Sequence, residues 1–240
     1  MATRFSLNNR ALVLILSGVL GCGSDLLLPD PPGGGENVQL SKVDGDNQIG
    51  VVGEQLQLPL VVKVMTARDL PALGREVEFV FTSGAGEVTP ARAFTNSEGQ
   101  ATAHWVLGTE PGPQSVAARL VVGEGDPQSE EFTAEAKPAA PDTLSAKSPT
   151  SQPGRRGHKV DSPPVVQVVD RFGNPVPGVP VAWQVTVGEG KVSEAITRTK
   201  DDGTTTVEWT LGNQVGIQRL TATVGPITGS PVSFAAAVLF

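Results

Sequence analysis

The chain has 240 residues, including 28 Gly, 20 Pro and a single Cys, and its formal net charge is −7. This charge disfavours nucleic acids and anionic lipid surfaces as partners, because Lys and Arg drive binding to phosphate groups. The many turn-forming residues, the abundant Val and Thr and the lack of a long helical period predict an all-β protein.

Residues 1–21 have the pattern of an export signal peptide. Arg4 and Arg10 give a basic start without any acidic residue, and residues 11–20 form an apolar stretch of ten residues. Ten residues are too few to span a bilayer, which favours a cleaved signal over an anchor helix. Removal of the two arginines would leave the mature chain with a formal charge of −9.

Cys22 is the only cysteine and follows the predicted signal directly. An unpaired thiol does not fit a disulfide protein. The sequence of residues 19–22, Val-Leu-Gly-Cys, resembles the bacterial lipobox, in which the cysteine receives a lipid and the signal is cut before it. The resemblance implies a lipoprotein of the cell envelope, held at the outer membrane or cell surface and facing the periplasm or exterior. The alternatives are ordinary signal cleavage and a misassigned start codon.

Residues 22–36 are expected to form the lipidated cysteine and a Pro/Gly-rich tether. Fully extended, the part after Cys22 would reach about 50 Å at roughly 3.5 Å per residue. Such a tether would lift the rest of the protein off the membrane.

The remainder of the chain repeats itself. When residues 53–120 are shifted by 104 positions they align with 157–224 without a gap, and 22 of the 68 pairs are identical. The matched residues are turn glycines and alternating apolar positions, so we expect the same small domain built twice. We place the domains at 37–136 and 142–240, joined by a proline-stiffened linker at 137–141 that limits bending without fixing an angle.

Alternation of apolar and polar residues predicts antiparallel strands that are buried on one face. Strands are expected near 37–43, 56–66, 99–107, 114–122 and 129–136, and near 142–147, 160–170, 203–211, 217–224 and 231–238. The inward positions in the first copy include Val77, Phe79, Phe81, Ala101, Ala103, Trp105 and Leu107. Those in the second copy include Val181, Trp183, Val185, Thr205, Val207, Trp209 and Leu211. About seven short strands in each copy predict two Greek-key β-sandwiches, with Phe79, Trp105, Trp183 and Trp209 as core residues.

The stretch 168–181, Val-Val-Asp-Arg-Phe-Gly-Asn-Pro-Val-Pro-Gly-Val-Pro-Val, resembles the bacterial Ig-like domain of the Big-1 group, found in intimin- and invasin-type adhesins and in surface lipoproteins. Thr199, Gly203 and Trp209 continue the resemblance, and the first copy retains it at Thr95, Gly99 and Trp105. The first copy departs at 66–71, where Thr-Ala-Arg-Asp-Leu-Pro puts the geometry of the turn in doubt. Transthyretin-like accessory domains are a lesser alternative for the Asp-x-x-Gly-x-Pro stretch.

Asp170, Gly173 and Asn174 suggest either a calcium loop or a tight turn. Calcium needs six to eight oxygen ligands, whereas Gly173 and Asn174 both tolerate positive φ and Pro175 could begin the next strand. We favour the turn, and we interpret Gly99 and Gly203 in the same way.

The candidates for catalysis and ligand binding are few. His104 is predicted to face outward and His158 follows Arg155 and Arg156, so neither histidine pairs with Cys22 in a metal or nucleophile site. A polyanion contact at this basic cluster is a weaker hypothesis than a solvated loop. We therefore expect no catalytic, cofactor-binding or metal-binding residues and no enzyme activity.

Three functional hypotheses follow. The chain is expected to act as a non-catalytic envelope lipoprotein, either in adhesion to another protein or surface component or as a surface-projecting stalk. The alternative is a carbohydrate-binding or accessory module of an envelope or secreted enzyme system. Sugar binding requires exposed aromatic rings, but Tyr is absent and the tryptophans are predicted to be buried. The sequence leaves the partner and the oligomeric state open.

Overall fold

The computed structural model describes residues 38–121 and 128–239. The predicted signal peptide, Cys22 and the tether 23–36 lie outside these residues. Gly35–Phe240 form one compact unit, and the regular secondary structure of its described part consists of β-strands. Within the two described ranges, no helix has the length and apolarity needed to cross a bilayer.

Nine strands build the first domain as a two-sheet sandwich. They are β1 (Val38–Asp44), β2 (Gln48–Val51), β3 (Leu60–Thr66), β4 (Glu76–Ser83), β5 (Gly86–Thr89), β6 (Arg92–Phe94), β7 (Gln100–Leu107), β8 (Gly112–Leu120) and β9 (Ser129–Lys137). One sheet has the order β1-β3-β7-β5 and the other β2-β9-β8-β4-β6. From β1 to β8 consecutive strands therefore alternate between the two sheets, and β8 and β9 form a hairpin within the second sheet, which gives an Ig-like sandwich.

Ten strands repeat this arrangement in the second domain. They are β10 (Pro141–Ala146), β11 (Ser151–Gly154), β12 (Val165–Asp170), β13 (Pro180–Val187), β14 (Lys191–Val192), β15 (Ile196–Arg198), β16 (Thr204–Thr206), β17 (Trp209–Thr210), β18 (Gly216–Thr223) and β19 (Val232–Val238). The sheets have the orders β10-β12-β16, β14-β17 and β11-β19-β18-β13-β15. The fold class predicted from the sequence is confirmed.

The second copy departs from the prediction at 203–211, where one strand was expected and two short strands, β16 and β17, are present. In the first domain Leu60 pairs with Ala103, and the corresponding position to Leu60 is Pro164. Proline has no N–H to donate to the ladder. Pairing therefore ends at Val165 and Thr206, and the strand is interrupted.

The sequence pattern missed several strands of two to four residues, namely β2, β5, β6, β11, β14 and β15. Such segments are too short to show a period of two. β2 and β11 also pair in parallel with β9 and β19 at a sheet edge, so the sheets are not wholly antiparallel. The predicted strands 56–66 and 160–170 begin later, at Leu60 and Val165.

Each domain has its own hydrophobic core, and the two sets of buried residues do not overlap. Trp105 and Trp209 are fully buried in their respective cores. Phe79 and Trp183 are also buried, and the Trp183 indole donates a hydrogen bond to Thr197 Oγ1 at 2.8 Å. Within the described residues, the indole nitrogens of Trp105 and Trp209 have no hydrogen-bond partner. Their contribution to stability is therefore apolar packing.

Candidate functional site at the domain junction

The turn after β12 reaches toward the first domain. The N–H of Gly173 donates to the carbonyl of Asp170 at 3.0 Å, and the N–H of Asp170 donates to the carbonyl of Asn174 at 2.9 Å. Gly173 has a φ of +87°, but Asn174 is not in the positive-φ region, so that expectation for Asn174 was wrong. Pro175 forms only an isolated bridge with Val169, and β13 begins at Pro180 rather than at Pro175.

The Asp170 carboxylate organises this turn. It is 2% exposed. Its Oδ1 accepts hydrogen bonds from the N–H groups of Phe172 at 2.8 Å and Asn174 at 2.9 Å. Its Oδ2 accepts from Asn174 Nδ2 and from the N–H of Ala139, both at 2.9 Å. Both oxygens are thus engaged in hydrogen bonds inside the protein, which fits a structural role for Asp170.

Burial raises the pKa of Asp170, but the hydrogen bonds from the Asn174 side chain and from the N–H groups of Ala139, Asn174 and Phe172 outweigh it. The net result is a pKa below the ordinary value of 3.8. The turn therefore favours the charged carboxylate over the protonated acid.

Three contacts from this turn join the two domains. The first is the bond from Ala139, which itself belongs to the core of the first domain. In the second, Asn174 Nδ2 donates to the carbonyl of Thr109 at 2.8 Å. In the third, Phe172 lies against Gly53, where an added Cβ would come within 2.6 Å of the ring. Gly53 therefore provides the space that the aromatic ring occupies.

The first domain carries the same turn without the side chains that make these contacts. Thr66 takes the place of Asp170, and its Oγ1 accepts from the N–H groups of Arg68 at 3.4 Å and Leu70 at 3.3 Å. Asp69, with φ +58°, takes the place of Gly173. The backbone bonds are retained, including that from Thr66 N–H to the Leu70 carbonyl at 2.8 Å. The doubt about this turn is resolved in favour of the same geometry.

We predict that Asp170→Asn destabilises the protein at pH 7 by about 1.5–3 kcal/mol, the range for hydrogen bonds to a charged group. Because the folded pKa lies below 3.8, the wild type holds this stability above pH 3.8 and loses it as the pH falls through the folded pKa. Urea unfolding at several pH values should show that the difference in unfolding free energy between wild type and variant becomes smaller in acid. Asp161→Asn, at an exposed position, is the matched control and should leave stability unchanged. A difference in unfolding free energy that does not narrow as the pH falls below 3.8 would contradict the assignment.

The other turn residues singled out in the sequence occupy corresponding places. Gly99 and Gly203 have φ of +73° and +70°, and a Cβ on either would lie 2.5 Å from the carbonyl oxygen of Val64 or Val168, respectively. Both approaches leave no room for a side chain. Next to Gly203, Asp202 Oδ1 accepts from the N–H and hydroxyl of Thr204, and these two bonds lower the pKa of the Asp202 carboxyl.

The histidines and the basic cluster take no part in the three junction contacts described above. His104 is exposed on β7, with Nδ1 3.4 Å from Gln55 Nε2. Arg155, Arg156 and His158 are exposed in the loop after β11. In the part of the chain that the structure covers, no three His, Cys, Asp or Glu side chains are grouped so that they could hold a metal ion.

A cleft of about 410 Å³ lies beside Thr109, between the 83–85 turn and the 108–114 segment. Gln114 supports its wall, accepting from Gly108 N–H at 2.9 Å and donating to the Glu110 carbonyl at 2.9 Å. Sequence reasoning missed this cleft, since it depends on the approach of two loops. The strict repetition of Gln114 as Gln218 was the available signal, because Gln218 makes the same bond to Gly212 N–H at 2.8 Å.

Several solved structures resemble this chain, and one of them, the adhesin FdeC, supports the fold. The structure of the Escherichia coli adhesin FdeC has a TM-score of 0.56 at 18% identity, and the match covers 85% of this chain and 64% of that chain. Yersinia pseudotuberculosis InvD gives 0.48 at 19% identity, covering 84% and 57%. The Yersinia pseudotuberculosis adhesin InvE gives 0.40 at 18% identity, covering 85% and 61%. The chain thus spans less than two thirds of the length of these structures, and the likeness concerns the fold alone.

A comparison with curated proteins finds no match. Residues 164–236 match the family described as bacterial Ig-like domain (group 1). This segment runs from the start of β12 into β19 and includes the junction turn, Gly203 and Trp209. The match of residues 164–236 to this family agrees with the resemblance seen in the sequence.

Proposed function

We propose that the chain is a non-catalytic protein of the bacterial cell envelope, anchored by a lipid on Cys22, whose two Ig-like domains form a stalk that presents an adhesive surface. The observation that carries this proposal is the junction, where Asp170, Phe172 and Asn174 of the second domain contact Ala139, Gly53 and Thr109. Such contacts limit independent motion of the domains, which a projecting stalk requires.

The fold similarity to FdeC, an Escherichia coli adhesin, supports the adhesive part of the proposal. The lipobox-like residues 19–22 and the tether that follows support the anchored part. In this arrangement the tether separates the lipid from the first domain, and the second domain lies farther along the chain from the membrane.

Analysis of the mature N-terminus tests the proposed lipid anchor. Mass spectrometry of protein purified from its host membrane should show an N-terminal Cys22 carrying acyl chains, and Cys22→Ala should move the protein to the soluble fraction. Two or more acyl chains are expected, because a single chain binds membranes only marginally. An unmodified Cys22, or cleavage at another site, would overturn the anchor.

Substitutions at the domain junction test whether the two domains act as a stalk. Replacing Phe172 and Asn174 by Arg and Leu, their counterparts in the first copy, removes the side-chain contacts while keeping a turn that the chain already uses. We expect small-angle scattering of Gly35–Phe240 to show a broader distribution of domain separations. We also expect bacterial cells that carry the variant to adhere less well to the surface that the wild-type protein binds. Asp201→Asn, at an exposed position, is the control. Unchanged scattering and unchanged binding would count against a stalk that depends on this junction.

A further inference from the structure

The end of the first domain that lies opposite the junction carries exposed apolar side chains. Leu70 is 58% exposed, and Leu73 and Phe94 are each 67% exposed. Leu70 and Leu73 lie on the loop between β3 and β4. The N–H of Gly74 donates to the carbonyl of Thr95 at 2.9 Å, which brings this loop against the end of β6, where Phe94 lies. We call Leu70, Leu73 and Phe94 the apolar end of the first domain.

The strand directions place the apolar end beside the tether. β3 and β7 are antiparallel, so the end of β3 at Thr66 and the end of β7 at Leu107 lie at opposite ends of their sheet. The second domain contacts Thr109, just after β7. Val38, the first residue that the structure describes after the tether, pairs with Thr66. The loop that bears Leu70 therefore begins where the tether enters the domain.

The second copy shows what this end of a domain contacts. A shift of 104 positions replaces the three apolar residues by Asn174, Pro177 and Arg198. Asn174 binds the domain that precedes it in the chain, through the carbonyl of Thr109 at 2.8 Å. The first domain is preceded instead by the tether and the proposed lipid on Cys22. Its apolar end has the chemistry to contact lipid, which the polar end of the second copy does not have.

The charged side chains around the apolar end are of both signs. Arg92, on the same strand as Phe94, forms ion pairs with Glu76 at 3.1 Å and Glu78 at 2.7 Å. The described loops 67–75 and 95–99 add the charged residues Arg68, Asp69, Arg75 and Glu98. Zwitterionic phospholipid head groups also present both signs, as a phosphate and an ammonium group. The net charge of −7 disfavours an anionic surface, so a zwitterionic bilayer is the better match.

We propose that the apolar end inserts into the head-group region of a zwitterionic phospholipid bilayer, so that the first domain stands on the membrane. Leu and Phe side chains bind at this depth because they bury apolar surface at the boundary between head groups and acyl chains. The proposal rests on the anchored part of the proposed function and extends it, because an anchor and a tether alone do not orient the stalk.

The anchor makes docking by three side chains sufficient. A second binding event that is linked to a first becomes intramolecular, with an effective concentration on the order of millimolar for a short link. Residues 23–37 are the link between Cys22 and Val38. A surface too weak to hold a free protein on a bilayer is therefore occupied in the anchored one.

Protein held on vesicles by a tag tests docking separately from lipidation. In residues 23–240 with an N-terminal histidine tag in place of Cys22, Ala67→Cys introduces the only thiol, at an exposed position, for an environment-sensitive dye. We expect the dye emission to shift to the blue on phosphatidylcholine vesicles that contain a nickel-chelating lipid. Leu73→Glu combined with Phe94→Glu should lower the ratio of docked to undocked protein at least about tenfold, because the apolar surface that drives insertion is lost.

The matched control is Ile196→Glu combined with Ile217→Glu, at second-domain residues that are 60% and 56% exposed. This control should keep the blue shift. An absent shift in the tagged protein, or one that persists in Leu73→Glu with Phe94→Glu, would overturn the proposal. A concentration-dependent shift without vesicles would indicate contact with a second copy and would also overturn it. None of these results depends on the lipidation of Cys22, which mass spectrometry measures separately.

Lengthening the tether gives a readout that needs no substitution at the apolar end. A Gly/Ser insert as long as the tether, placed after Gly35, should leave energy transfer from the dye at position 67 to acceptor-labelled lipids unchanged, because a docked domain stays on the surface. A domain held by the tether alone would move away from the bilayer. A fall in energy transfer with the longer tether would therefore contradict docking.

Discussion

Trp209→Ala is expected to destabilise the second domain by about 3–5 kcal/mol, because it leaves a large cavity in a closely packed core. Trp209 is fully buried. The loss is comparable with much of the total stability of a small domain, which lies at about 5–15 kcal/mol. The variant should therefore be largely unfolded in its second domain near 37 °C.

Urea unfolding followed by fluorescence measures this effect, because Trp183 remains in the second domain and Trp105 in the first as separate reporters. Trp209→Phe is the matched control. The Trp209 indole nitrogen has no partner in the described structure, so phenylalanine loses volume but no hydrogen bond and should cost less than alanine. If the urea midpoint of the second domain were the same in Trp209→Ala and the wild type, packing of Trp209 would not be a main source of the stability of this domain.

Gly203→Ala is the second change with a large expected effect. The new Cβ would lie 2.5 Å from the Val168 carbonyl oxygen, at a φ of +70°. That oxygen accepts the N–H of Val176 at 3.0 Å, so the clash would disturb the junction turn. The backbone strain costs about 1–2 kcal/mol and the overpacking a further 1–3 kcal/mol.

Gly178→Ala separates these two contributions. Gly178 has a similar φ of +76°, but an added Cβ would meet nothing within 4 Å. It should show the strain alone, and the difference between the two variants should measure the clash. The first copy offers the same pair, Gly99 and Gly74. If chemical denaturation gave equal losses of unfolding free energy for Gly178→Ala and Gly203→Ala, the contact of the new Cβ with the Val168 carbonyl oxygen would not contribute to the destabilisation.

Much of the fold was predictable because alternation and repetition report on backbone geometry. Ala101, Ala103, Trp105 and Leu107 alternate as expected and are all buried. The interruption before Trp209 was not predictable from alternation, since it arises from Pro164, the residue that precedes the neighbouring strand β12. Short strands such as β6 were missed because three residues cannot show a period.

The junction was less accessible from the sequence than the fold. The sequence pattern identified Asp170, Gly173 and Asn174 as a turn. The hydrogen bonds of this turn to the first domain involve Thr109 and Ala139, which lie 65 and 31 residues from their partners in sequence. No local pattern encodes such a pairing. The replacement of Asp170, Phe172 and Asn174 by Thr66, Arg68 and Leu70 in the other copy was the available signal.

Both copies share one turn backbone. Whether the turn contacts the other domain therefore depends on the side chains at three positions, which are Asp170, Phe172 and Asn174 in the second copy. A gene that duplicates such a segment inherits a complete scaffold, and a few codon changes then decide whether the new segment attaches to its predecessor. Gly157 repeats the positive φ of Gly53, at +69° and +70°. One element of the surface that receives Phe172, a glycine with this backbone conformation, is thus present in the second domain as well.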